Sequence, residues 1–373
     1  MTSRERVRAV LSHQIPDRVP VDLSGRSSAI ESGAYRDLRA YLGIDVDRPE
    51  ENFIRSHAVI SEEILRLLHV DTRYVRSVPP ESWQTRGEDS FFVDQWGVPW
   101  RRPAGGNYYD IDRFLLEDVA PEAFDAIPWH PLATDAMAEE MRLEADRLYR
   151  ETDCALFTDV LGSAIFESAW YLRGFEQFMV DLLVEEEFSA KFLRKILDLQ
   201  LEAYEKLLAG TEGKLEGVFL TDDLASQDSL LLSPETYRNC IMPYQKELFS
   251  FLHSKGVEVL YHSCGAILPL LPDLIEAGVR VLHPVQLSAA GMDPDVLKRE
   301  YGDRLVLFGG GCNSQTTLQF GTPQEVRDEV RFRLEKLMPG GGYLFAPEHC
   351  IQNGTPPQNI VAMFETVHEY GVY

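Results

Sequence analysis

The chain has no run of about 20 apolar residues, the length a helix needs to cross a bilayer. Its opening, Met1-Thr2-Ser3-Arg4-Glu5-Arg6-Val7, carries no apolar core of the kind a secretory signal has. Both absences predict a cytoplasmic protein. Cysteine is scarce: five residues, at 154, 240, 264, 312 and 350, form an odd and scattered set that makes no disulfide framework and leaves thiols free for other chemistry. Positive charge is the third shortage. Thirty-six Lys and Arg against sixty Asp and Glu give a formal net charge of -24, and such a surface repels the phosphates of nucleic acids and of anionic lipids. Neither nucleic acid nor a membrane is therefore an expected partner. No internal repeat, linker or low-complexity stretch marks a boundary, so the reading is of one domain over 1–373, long enough to bury a large core.

What the chain does have is alternation. Short apolar runs fall at 19–23, 72–75, 155–158, 217–221, 257–261, 279–282, 305–308 and 343–346. Between them lie segments of helical period, such as Glu176 to Leu208, where Phe178, Leu182, Phe188, Phe192, Ile196 and Leu199 recur at three- and four-residue spacing. Eight strand and helix alternations predict a (β/α)8 TIM barrel, whose parallel strands are buried on both faces and so read as continuous apolar runs. A doubly wound open sheet is the alternative. Residues 79–113 break the pattern with Trp83, Phe91-Phe92-Val93, Trp96, Trp100, Tyr108 and Tyr109 among Gly and Pro, which predicts a small antiparallel insertion after strand two. Trp96 and Tyr109 are its candidate substrate-lining residues, as part of an aromatic lid; a hydrophobic plug or a contact in a homo-oligomer is the other reading.

A barrel places its chemistry just after the strands, on the C-terminal face. After the fifth run comes His262-Ser263-Cys264-Gly265, and after the eighth Glu348-His349-Cys350. One imidazole and two thiols on the ends of two strands suit a zinc ion with an open fourth position, so His262, Cys264 and Cys350 are the candidate metal ligands. Asp222 and Asp223 follow the fourth run as candidate catalytic groups that orient a ligand or touch substrate, or else cap the next helix. Asp159, His283, Gln286 and Glu348 occupy equivalent positions and are candidate substrate contacts.

Taken together, Arg4-Glu5-Arg6-Val7, Pro16-Asp17-Arg18-Val19-Pro20-Val21-Asp22, Thr221-Asp222-Asp223-Leu224-Ala225-Ser226-Gln227, Ser233-Pro234-Glu235 with Tyr237, and His262-Ser263-Cys264-Gly265 resemble the uroporphyrinogen decarboxylase superfamily. The tail continues the likeness in Phe320-Gly321-Thr322-Pro323, Gly340-Gly341-Gly342-Tyr343 and Pro356-Pro357-Gln358-Asn359-Ile360. The resemblance implies a barrel and points to the branch of zinc-dependent, corrinoid-linked methyltransferases, where His-x-Cys and a distal Cys hold the metal. Here the distal setting is Pro347-Glu348-His349-Cys350 rather than Pro-Gly-Cys-Gly, which leaves that ligand open among Cys350, His349 and Glu348. The expected activity is transfer of a methyl group between a small methylated substrate, such as an aryl methyl ether, or a thiol and a corrinoid. The corrinoid is expected on a separate protein, because the motif Asp-x-His-x-x-Gly is incomplete: Phe251 stands where Asp would precede His253 and Gly256. Decarboxylation of a porphyrinogen is the runner-up, weakened by a lone Arg26 where the decarboxylases pair two arginines. A non-catalytic binding protein on a barrel scaffold is a third class.

Overall fold

The computed structural model describes residues 1–44, 57–77, 91–103, 106 and 109–373; Trp83 and Tyr108 lie outside them. Seven parallel strands form one sheet in spatial order β1 (Thr72–Tyr74), β5 (Ala155–Thr158), β6 (Gly217–Thr221), β7 (Glu258–His262), β8 (Val281–His283), β9 (Val306–Phe308) and β10 (Tyr343–Leu344). Each coincides with one of the apolar runs. The remaining run bridges the two edges of this sheet: Phe345 N–H donates to the Pro20 carbonyl at 2.9 Å, Asp22 N–H to the Phe345 carbonyl at 2.8 Å, and Asp71 N–H to the Val21 carbonyl at 2.8 Å. Segment 20–22 thus occupies the eighth position of a TIM barrel. It falls short of a regular strand because the Val21 N–H is taken by the Asp71 carboxylate, at 2.8 Å, in place of a backbone carbonyl. Asp71 is itself clamped by Arg6 and Arg18 at 2.7 and 2.8 Å.

The barrel interior follows the two-residue period of a strand. Phe157, Phe219, Leu260, Val281, Phe308 and Ala346 point inward and pack together, and Val7 and Val10 of the first helix (Ser3–Leu11) join them. That helix starts at Thr2, whose capping box with Glu5 satisfies its first amides. Around the barrel the helices bury apolar faces. The Glu176 to Leu208 stretch forms two of them, Phe175–Val184 and Glu186–Leu208, parted at Glu185 where φ of -122° and ψ of 56° leave the helical region.

The insertion after the second strand is antiparallel, as its composition suggests. β2 (Phe91–Val93), β3 (Pro99–Arg101) and β4 (Asp110–Ile111) form a three-stranded sheet with Phe92 opposite Trp100. Asp94 builds its turn: one carboxylate oxygen accepts from Trp96 N–H and Val98 N–H at 2.8 and 2.9 Å, the other from Trp100 Nε1 at 2.9 Å. Gln95 Nε2 ties this sheet to the Leu161 carbonyl, 2.7 Å away, in the loop after β5. The insertion therefore lies on the C-terminal face. Among the described residues no helix is long and apolar enough to cross a membrane.

Candidate metal centre

The inward parity of the strands carries past the interior into the mouth. Two residues beyond Phe157 stands Asp159; beyond Leu260 stand His262 and then Cys264; beyond Val281, His283; beyond Ala346, Glu348. Position on a strand thus decides which polar residues meet. His262 and His283 are neighbours in register on β7 and β8, with Nδ1 to Nδ1 at 2.7 Å and their rings stacked at 5.0 Å. Cys264 Sγ lies 3.3 Å from His262 Nε2. His349 closes on the same point, so that one donor atom each of His262, Cys264 and His349 lie within 4.8 Å of one another.

The chemistry of this set fits zinc. A tetrahedral ion with bonds near 2.1 Å to nitrogen and 2.3 Å to sulfur separates its donors by about 3.5 Å, and the Cys264 to His262 pair already stands at 3.3 Å. His283 completes the case. It is wedged between Phe219 and Phe308, with ring centroids at 5.0 and 4.6 Å, and burial drives its pKa well below the ordinary range, with His262 and His349 adding to the effect. A neutral His283 accepting at Nδ1 makes His262 a donor at Nδ1, which leaves the His262 Nε2 lone pair for a metal. In that tautomer the His283 proton would sit on Nε2, an atom with no hydrogen-bond partner among the described residues. Gly309, at φ 87°, admits this ring: a methyl group there would sit 3.3 Å from two of its atoms.

Burial pushes the Cys264 thiol far up, and Asp223 is the largest of the charges that add to it. A cation in the cluster reverses that balance, so metal capture and proton release are coupled. Asp223 faces the centre, its Oδ1 accepting from Cys264 N–H at 2.7 Å and lying 3.7 Å from His262 Nε2. Asp222 has the opposite parity and turns away. Its carboxylate accepts from Phe166 N–H, Glu167 N–H and Gln245 Nε2 at 3.2, 2.6 and 2.6 Å, which caps the helix Ile165–Arg173 from outside. Burial, then the Glu167 charge, raise its pKa to about 7.

The other sequence candidates divide. Gln286 accepts from Gly265 N–H and donates to Gln227, both at 2.7 Å. With Cys264, Glu348 and His349 it lines a pocket of about 190 Å³. Glu348 is also paired to buried Arg333 at 3.3 Å. Asp159 stands elsewhere in the mouth, bound to Arg76 at 3.1 Å. Trp96 is 4% exposed and belongs to the core; Tyr109, half-buried, packs edge-on to Phe92 at 5.0 Å. The Cys350 thiol meets the Arg26 carbonyl at 3.4 Å, and its neighbour His349 is the one in the cluster. Two residues of the site were not singled out in the sequence. Glu167, from a following helix, accepts from Thr221 Oγ1 at 2.5 Å and Asp223 N–H at 3.4 Å, and Arg76 is visible only as the inward position after Tyr74.

The family model for uroporphyrinogen decarboxylase (URO-D) matches residues 136–370, well over half of the chain. The chain belongs to the URO-D family. Among curated URO-D relatives, uroporphyrinogen decarboxylase of Thioalkalivibrio sulfidiphilus is 26% identical over 149 residues, 38% of this chain and 39% of that protein. The enzyme of Pseudoalteromonas translucida is 34% identical over 73 residues, 20% of each. The chain thus spans less than two fifths of the length of the curated URO-D enzymes it matches. A solved structure described as a methyltransferase from Methanosarcina mazei superposes with a TM-score of 0.67 at 19% identity, covering 99% of both chains. That likeness extends the barrel to the parts of this URO-D chain which the family model does not reach.

Proposed function

We propose that the protein is a zinc-dependent methyltransferase, acting between a small methylated substrate, with an aryl methyl ether as the leading case, or a thiol and a corrinoid carried by a separate protein. The observation that carries this reading is the convergence of His262, Cys264 and His349 beside a pocket on the C-terminal face of the barrel. His262, Cys264 and His349 would hold the ion. Bound there, zinc would supply a Lewis acid, drawing charge from a departing ether oxygen or keeping a thiol as thiolate at neutral pH. The chain's own groups do the positioning. His283 fixes the tautomer and plane of His262, Asp223 holds the backbone of Cys264, and Gln286 holds Gly265. A separate corrinoid carrier is supported by His253, which ends the helix Met242–Ser254 and lies 3.5 Å from Glu258 at the start of β7, on the face away from the mouth.

The match to curated URO-D enzymes favours decarboxylation as a second reading. The convergence of His262, Cys264 and His349 favours methyl transfer over decarboxylation, because a thiol and two imidazoles are zinc donors. Turnover of aryl methyl ethers with an added corrinoid protein, alongside consumption of uroporphyrinogen, separates the two; activity on the porphyrinogen alone would replace the methyl-transfer reading.

Three variants test the metal set. His349→Ala is expected to lose zinc while Cys350→Ala keeps at least half of the wild-type content, as read by elemental analysis of purified protein; the reverse result makes the thiol the third ligand. His283→Phe, which retains the ring volume and removes the acceptor for His262, is expected to weaken zinc binding about 10- to 100-fold. An unchanged affinity in a chelator competition would show that His262 needs no orienting partner.

A further inference from the structure

We infer that Ser314 selects the third zinc ligand: its hydroxyl holds the backbone of His349 so that the imidazole meets the cluster, and without that hold the same loop would offer the Cys350 thiol. The inference rests on the zinc site of the proposed function and adds to it the residue that decides the donor set. The distal loop carries three candidate donors in a row, Glu348, His349 and Cys350, and each is tied differently. Glu348 pairs with Arg333 at 3.3 Å, and the same guanidinium donates to the Gly310 carbonyl at 3.2 Å. The Cys350 thiol meets the Arg26 carbonyl at 3.4 Å. Of the three, His349 brings a donor into the cluster.

The backbone pairing of β9 with β10 runs on past both strands. Gly309 N–H donates to the Leu344 carbonyl at 2.9 Å, Gly311 N–H to that of Ala346 at 2.8 Å, and Glu348 N–H to that of Cys312 at 3.3 Å. One step later a side chain takes over. Ser314 Oγ accepts from His349 N–H at 2.9 Å and donates to the His349 carbonyl at 3.2 Å, so the donor and an acceptor site of one hydroxyl are both spent on one residue. Ser314 is itself buried, and Asn313 beside it builds the turn by accepting from Gln315 N–H and Thr316 N–H at 2.8 and 3.1 Å. Beyond Cys350 the chain is pinned again: Ile351 N–H donates to the Ala29 carbonyl and its carbonyl accepts from Glu31 N–H, both at 2.8 Å. Residues 349 and 350 therefore lie between two anchors, and the bonds to Ser314 set which of them turns inward. Cys350 is within electrostatic reach, since its charge, after burial and two nearby acids, adds to the rise of the Cys264 thiol.

The choice has a chemical consequence. One thiolate and two neutral imidazoles leave a zinc ion with net positive charge, whereas two thiolates and one imidazole cancel it. In the exchange the bond from zinc to the His349 nitrogen breaks, a bond to the Cys350 sulfur forms, and the Cys350 proton passes to solvent while the imidazole departs neutral. By keeping the second thiol out, Ser314 keeps the site electrophilic, the property on which a departing ether oxygen draws.

The test is the number of sulfur neighbours of zinc, read by X-ray absorption on whole protein loaded with zinc alone, with thermal melting as the control for folding. Ser314→Ala is expected to raise that number from one to two, and Ser314→Thr, which keeps the hydroxyl, to leave it at one. A double variant removes any doubt about folding. His349→Ala keeps both backbone bonds to Ser314, so Cys350 should stay out and zinc should be lost. Adding Ser314→Ala to it should then raise zinc affinity at least about tenfold in a chelator competition, and a further Cys350→Ala should cancel the gain. One sulfur in Ser314→Ala and no gain in the double variant would overturn the inference and leave the zinc site standing. Two sulfurs in the wild-type protein would overturn it as well, because Cys350 would then bind with Ser314 in place. Wild-type protein that takes up no zinc would refute the zinc reading and the inference with it. The expected change from one sulfur to two, in a protein that transfers no methyl group, would refute methyl transfer and leave the role of Ser314 intact.

Discussion

Cys264→Ala is expected to lower methyl transfer to a corrinoid protein by at least about a thousandfold, the scale of several kcal/mol of lost charge stabilisation, while leaving the barrel folded. The thiol supplies the sulfur of the cluster at 3.3 Å from His262 Nε2, and its removal leaves two nitrogens, one at the end of β7 and one in the loop after β10. The fold has little stake in it. Most of the stability comes from a core of strands and helices to which this thiol does not belong. The melting temperature should match that of metal-depleted wild-type protein within about 2 °C, because bound zinc stabilises the native state on its own. Full turnover in the zinc-free variant would refute metal-assisted transfer.

Asp222→Ala is expected to do the opposite. The carboxylate is fully buried and meets three donors, two of them amides in the first turn of the helix Ile165–Arg173. Alanine leaves Phe166 N–H, Glu167 N–H and Gln245 Nε2 buried without an acceptor, at a cost of about 3 kcal/mol or more. Denaturant unfolding should show that loss, while the folded fraction keeps its zinc. A variant of unchanged stability and no activity would return Asp222 to the catalytic group. Asp223→Ala should show the reverse profile, since its side chain is 39% exposed and holds the backbone of Cys264.

The contrast between Asp222 and Asp223 shows where sequence reading succeeds and where it stops. Both stand after an apolar run, and composition cannot rank them. Parity can, since Phe219 points inward and every second residue follows it, which sends Thr221 and Asp223 to the mouth and Asp222 to the helix layer. The same count picks His262, Cys264, His283 and Glu348. All eight runs were legible because buried parallel strands are apolar on both faces. The loop after β10 was not. There the sequence left the distal ligand open among Cys350, His349 and Glu348, and the structure brings a donor of His349 within 4.8 Å of those of His262 and Cys264, a matter of loop geometry that spacing does not encode. Glu167 was hidden for a related reason, because it arrives from a helix and meets Thr221 only through tertiary packing. In the insertion, composition announced antiparallel strands but could not say that Trp96 would enter the core while Trp100 faced a cavity.

X-ray absorption at the zinc edge, on protein purified after growth with zinc, tests the metal centre most directly. The predicted result is one zinc per chain with one sulfur near ~2.3 Å, two imidazole nitrogens near ~2.1 Å and one lighter, exchangeable neighbour that changes when a thiol or a methyl ether analogue is added. Protein that binds no zinc, or zinc enclosed by four protein ligands and indifferent to added thiol, would contradict it.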